Sequence, residues 1–256
     1  MKLFQKLKLD ARVVDVVAES EWFKTIEQPT AFELENNLES FKHSIPFSRN
    51  LLAFKAYYIE DSRLAKLHWE QVPLDTLEYF FGDWRNTFKF EKSGGDPNYW
   101  KRREWMGSYN DGLLACAITG KWDVAKQLSE YPDEKCGQDV DTQPEERSYL
   151  LALSEWLRTG VLESEGKKHL ESAKSGKSPR AKEEAKLLEV AIMADEKSAK
   201  KIFSDYMAYY LKKVFPLRDV TEKQSKMGTF FWHRWKKSGI DIDLDSKHRD
   251  YIIRLT

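Results

Sequence analysis

Apolar residues recur at three- and four-residue intervals through nearly the whole chain, the spacing that lays them along one face of an α-helix. The stretch PTAFELENNLESFKHSI opens on Pro29, suited to a first helical turn, and sets Phe32, Leu34, Leu38, Phe41 and Ile45 on a broad face. FSRNLLAFKAYYIEDSRLAKLHWEQ follows, with Ser48 or Asn50 as its start cap and Asp61 or Ser62 as a break. PLDTLEYFFGDWRNTFKF repeats the style through Leu77, Phe80, Phe81, Trp84 and Phe88. Gly94, Gly95 and Pro97 then mark EKSGGDPN as a loop.

Beyond the loop the pattern becomes helix, short turn, helix. A first helix ends near Thr119, with Gly120 as a left-handed stop that only glycine adopts without a Cβ penalty. Trp122 to Tyr131 forms its mate, closed by Pro132. A second hairpin turns at Gly160 and a third at Asp195. Leu113, Leu153 and Leu188 each lie seven residues before these turns, and Ala117, Ala125, Ala191 and Ala199 let paired helices approach closely. The expectation is an all-α fold of stacked antiparallel helical hairpins, an α-solenoid of tetratricopeptide type, with one short extended segment near 240–244. Residues 1–256 are expected to form a single domain, divisible into N-terminal helices (1–92) and a hairpin region (98–256).

Composition narrows the class. Apolar residues make up 41% and charged residues 33%, the mix of a soluble globule rather than a disordered chain. Forty-two basic residues balance 42 acidic ones, which disfavours a general nucleic-acid binder. No stretch approaches the ~18 apolar residues of a membrane span, and Lys6, Lys8, Asp10 and Arg12 interrupt any signal-peptide core. Cys116, inside LLACAI, reads as a small buried hydrophobe, and two cysteines are a poor disulfide framework. These features favour the cytoplasm.

Candidate chemistry is sparse. SGIDIDLDSKHRDYIIR places Asp241, Asp243 and Asp245 at alternate positions. A calcium loop would need Gly and Glu where Ser246 and Ile252 stand. Period-two geometry instead turns Ile240, Ile242 and Leu244 inward and the aspartates outward, with Asp245 or Ser246 capping a last helix that buries Ile252, Ile253 and Leu255. ITGKW lacks the glycine and hydroxyl of a phosphate loop, with Ala115 and Trp122 in their places. His43, His68, His169, His233 and His248 show no metal-ligand spacing, so no metal, cofactor or catalytic residue is assigned. YWKRREW and FFWHRWKK mix bases with aromatics as single-strand binders do. The competing reading makes Trp100, Trp105, Phe231 and Trp235 core anchors with a basic rim.

The segment MGTFFWHRWKKSGIDIDLDSKHRDYIIR resembles the closing segment of immunity protein family 49, the all-helical antitoxins of bacterial polymorphic-toxin systems. The shared order is a helix (Phe230 to Lys237), a small residue and glycine (Ser238, Gly239), an alternating stretch (Ile240 to Leu244) and a final helix with a hydrophobic pair (Tyr251 to Ile253). DGLLACAITGKWDVAKQLSEYP is similar to that family's Ala-rich hairpin with a glycine turn. The resemblance implies a cytoplasmic, non-enzymatic protein that binds and neutralises a cognate toxin. Residues 1–140 hold 23 acidic and 19 basic residues, so an acidic surface is one candidate for the contact. Glu35 and Glu39, on the FELENNLES helix, are the partner-binding candidates, against the plainer reading of a solvated face. The alternatives are a helical-repeat scaffold for another protein and an enzyme whose residues meet only in three dimensions.

Overall fold

The structure is a computed structural model that describes residues 16–28, 30–31, 38–84, 101–102, 107–139, 144–214, 224–245 and 247–255. Among them are ten α-helices and no strand. The helices are α1 (Val16–Ile26), α2 (Leu38–Tyr58), α3 (Ser62–Phe81), α4 (Gly107–Thr119), α5 (Trp122–Leu128), α6 (Pro144–Thr159), α7 (Ser164–Ser175), α8 (Pro179–Met193), α9 (Glu196–Val214) and α10 (Lys226–Lys237). A single 3-10 turn, Arg249–Tyr251, follows. The expectations for Pro29, Phe32, Leu34, Phe88, Trp100, Trp105 and the EKSGGDPN loop fall outside the described residues.

Helices adjacent in sequence pack on one another: α2 on α3, α4 on α5, α6 on α7, α7 on α8 and α8 on α9. Helix α10 packs back on α4, α8 and α9. Helix α4 lies at the centre and is buried on all sides from Tyr109 to Ile118 apart from Asn110, as its near-continuous apolar sequence requires. It joins two apolar clusters. Leu113 and Cys116 belong to one, with the hairpins and α10. Leu114, Ala115 and Ile118 belong to the other, with Phe54, Trp69 and Ile253. Gly112 makes the α3–α4 approach possible, because a Cβ there would lie 2.7 Å from Thr76 Cγ2.

The hairpin turns follow the sequence closely. Gly120 and Gly160 have φ of +73° and +82°. The third turn differs in detail. Ala194, not Asp195, takes the left-handed conformation, and Asp195 caps α9 by accepting the Ser198 amide at 2.8 Å. Leu113, Leu153 and Leu188 are all fully buried at the hairpin contacts.

Four boundaries correct the sequence reading. Helix α2 runs unbroken through Pro46, so Ser48 and Asn50 are interior residues rather than caps. Helix α3 runs through Pro73 in the same way and starts at Asp61, whose carboxylate accepts the Leu64 amide at 2.9 Å. A proline inside a helix loses one backbone bond and costs about 3 kcal/mol. Both prolines are buried, and the packing of α2 on α3 outweighs that loss. The expected last helix is only the 3-10 turn, and α5 stops at Leu128 rather than Tyr131.

Candidate functional site

The three aspartates resolve first. Ile240, Ile242 and Leu244 are buried, while Asp241, Asp243 and Asp245 face solvent in an extended segment without a sheet partner. Asp245 Oδ1 accepts the amides of Lys247 and His248, each at 3.0 Å, which turns the chain into Arg249–Tyr251. The segment is sewn onto α10. Trp232 Nε1 donates to the Ile242 carbonyl at 3.1 Å, Thr229 Oγ1 accepts the Ile253 amide at 3.1 Å, and His233 Nε2 meets the Ile253 carbonyl at 2.9 Å. No group of three or more metal-ligating side chains occurs among the described residues.

The aromatic and basic residues of α10 are committed internally. Phe230, Phe231 and Trp235 are buried, and the Arg234 guanidinium lies over Trp122 at 5.6 Å and Trp156 at 5.0 Å. Lys237 lies 5.3 Å from the Trp122 ring. Cys116 and Cys136 are buried thiols with no disulfide between them, and burial pushes the Cys116 thiol up to about 12, which leaves it an inert thiol.

The candidate site is a cleft of about 530 Å³ walled by α1, α2 and α3. Helical period builds it. Leu67, Gln71, Asp75 and Glu78 share one face of α3, and Lys42, Ile45 and Arg49 share the facing side of α2. Lys24, Glu27 and Gln28 close the end near α1. Arg49 organises the interior. Its Nε donates to Asp75 Oδ2 at 2.5 Å, its Nη2 donates to Glu27 Oε2 at 2.7 Å, and its guanidinium lies 4.9 Å from the Phe23 ring. Gln71 Nε2 donates to Asp75 Oδ1 at 3.2 Å, and Lys42 Nζ to Glu78 Oε1 at 2.8 Å. Burial raises the Asp75 carboxyl above its ordinary value, and the Arg49 contact opposes that shift.

His68, on the cleft wall, contacts Ser20 Oγ of α1 through Nε2 at 3.0 Å, and its buried Nδ1 has no hydrogen-bond partner among the described residues. Burial, then the charges of Arg49 and Lys24, lower its pKa to about 4, so the imidazole is neutral at pH 7. A serine touching a histidine is the outline of a nucleophile and its base. Here both residues are only 2% exposed, and a base held near 4 takes up no proton at neutral pH. The pair is a strut between α1 and α3.

Of the two sequence candidates, Glu35 lies outside the described residues. Glu39 lies in the first turn of α2, and its side chain is not among those described. The cleft was missed because its partners are far apart in sequence: 22 residues from Glu27 to Arg49, 26 from Arg49 to Asp75 and 48 from Ser20 to His68. One signal was present. Leu67, Gln71, Asp75 and Glu78 recur at helical spacing on a helix whose other face, through Ala65, Trp69, Val72, Thr76 and Phe80, is mainly apolar.

No family model, curated protein or solved structure matches this chain.

Proposed function

We propose that this chain is a non-enzymatic binding protein that neutralises a bacterial toxin by direct protein contact. The observation that carries this reading is the cleft. Arg49 is already paired with Asp75 and Glu27, and Lys42 with Glu78, beside the apolar side chains of Phe41, Ile45 and Leu67. Such a recess suits the side chains of a protein partner, with apolar contact for affinity and fixed charges for orientation. The order of the closing segment, helix, Ser238–Gly239 and alternating stretch, supports the same reading, although a 3-10 turn stands where the resemblance implies a final helix. On this reading the protein acts in the bacterial cytoplasm without metal or cofactor. A helical-repeat scaffold for another protein is the second reading, favoured by the sequential packing of α6, α7, α8 and α9.

The test is co-expression with the product of the adjacent upstream gene. Rescue of growth and a co-purified complex are expected. Gln28→Trp, at the exposed rim of the cleft, should weaken that complex at least about tenfold with the fold intact. No rescue and no complex with any neighbouring product would return the chain to the scaffold class.

A further inference from the structure

We propose that the chain pairs with a second copy of itself along the outer face of α3, in an antiparallel arrangement centred between Glu70 and Gln71. The inference rests on a row of exposed groups that reads the same from either end. Leu67, Leu74 and Phe81 are 54%, 43% and 47% exposed, and Ile59, at the corner leading into α3, is 41% exposed. Arg63 and Glu78 are exposed in the same row. At about 100° per residue, Arg63, Leu67, Leu74, Glu78 and Phe81 all fall within about 40° of one line along the helix.

A two-fold axis through the Glu70–Gln71 midpoint matches this row to itself. Leu67 meets Leu74 of the second copy, and Arg63 meets its Glu78. Phe81 reaches the corner at its Ile59 and Glu60. Every contact occurs twice, as a self-complementary interface requires. The charges agree with this register. Arg63 makes no ion pair among the described residues, and Glu78 stays half-exposed beside Lys42. Glu70 meets Glu70 of the second copy once across this axis, whereas centring the axis on Leu74 would set Glu70 against Glu78 of the second copy twice, a costlier set of like-charge contacts. Gln71, Asp75 and His68 of the cleft lie about 60–120° round α3 from Leu74, but Leu67 and Glu78 of the row also line it, so pairing covers that side of the cleft. The apolar row is narrow beside the ~800 Å² per copy that stable pairs bury, which places the expected dissociation constant in the micromolar range.

Sedimentation of the full chain from about 1 to 200 µM tests this. The mass should rise from 30.1 kDa toward twice that value. Arg63→Glu and Glu78→Arg should each weaken pairing at least about tenfold, and the two together should restore it, because the charges then meet in reversed order. Far-UV circular dichroism should stay unchanged, since both side chains are exposed. With both native cysteines buried, Glu70→Cys should form a disulfide-linked pair on oxidation, and Lys197→Cys on α9 should not. A monomer at every concentration would overturn the proposal. So would a pair indifferent to the charge swaps, or one that cross-links equally through position 197. None of these outcomes depends on a toxin.

Discussion

The two ends of the molecule are held together by different physics. Around α10, rings do most of the joining, beside an ion pair from Lys226 to Asp111 of α4. Phe231 lies 5.6 Å from Trp235, Phe203 lies 6.0 Å from Trp235, and Trp156 stacks on Phe231 at 6.4 Å. Among the described residues, helix α1 meets α2 and α3 through the polar contacts Ser20 to His68, Glu19 to Lys55 and Glu27 to Arg49, with the Phe23 ring inserted beneath. Ring packing needs no partner of matching charge and is insensitive to pH. A charged joint is directional and responds to protons, and its loss leaves buried charge behind. A region of the second kind is the one expected to open first and to carry contacts with other molecules.

The comparison is broken most strongly at Trp235. Trp235→Ala should cost about 3–5 kcal/mol in chemical denaturation, the value for deleting a buried aromatic side chain. Its indole N–H has no partner among the described residues, so Trp235→Phe should keep most of the stability. Next comes the charged joint. Arg49→Ala strands Asp75 and Glu27 and should cost about 3 kcal/mol, whereas Arg49→Met with Asp75→Leu should recover much of that loss. A double variant as unstable as the single one would show that packing, not charge, holds this face.

The ring-packed half was largely legible in the sequence and the charged half was not. The stops at Gly120 and Gly160 and the alternation from Ile240 to Leu244 are local signals, fixed by backbone sterics and side-chain period. The caps expected at Ser48 or Asn50 failed because contacts between α2 and α3 carry α2 unbroken through Pro46. The Arg49 network depends on which helix faces which, and charge pairing carries no sequence spacing.

Gly120→Val should cost about 1 kcal/mol or more. A Cβ at Gly120 meets nothing within 4 Å, so the penalty is the backbone's alone, and an unchanged denaturation midpoint would remove Gly120 as a helix stop. The smallest effect is expected at the solvent-facing aspartates. Asp241→Asn with Asp243→Asn should leave the melting temperature nearly unchanged, with or without calcium. A calcium-dependent rise that the double variant abolishes would make them metal ligands after all.

The polar joint of α1 is tested most directly by the pH dependence of stability in the native chain and in His68→Gln. The folded imidazole titrates at about 4, below its ordinary 6.5, so the unfolded chain binds the extra proton first. Its contribution is therefore complete above about pH 6.5 and lost as pH falls toward 4, on the order of 2–3 kcal/mol in all. Asp75, raised by burial, contributes with the opposite sign, and Arg49, Lys24 and Glu27 are common to both proteins, so their difference isolates His68. The native chain should lose stability relative to His68→Gln between pH 6.5 and 4, with α1 amides losing protection first. Parallel curves for the two proteins, or an imidazole titrating near 6.5, would contradict the account.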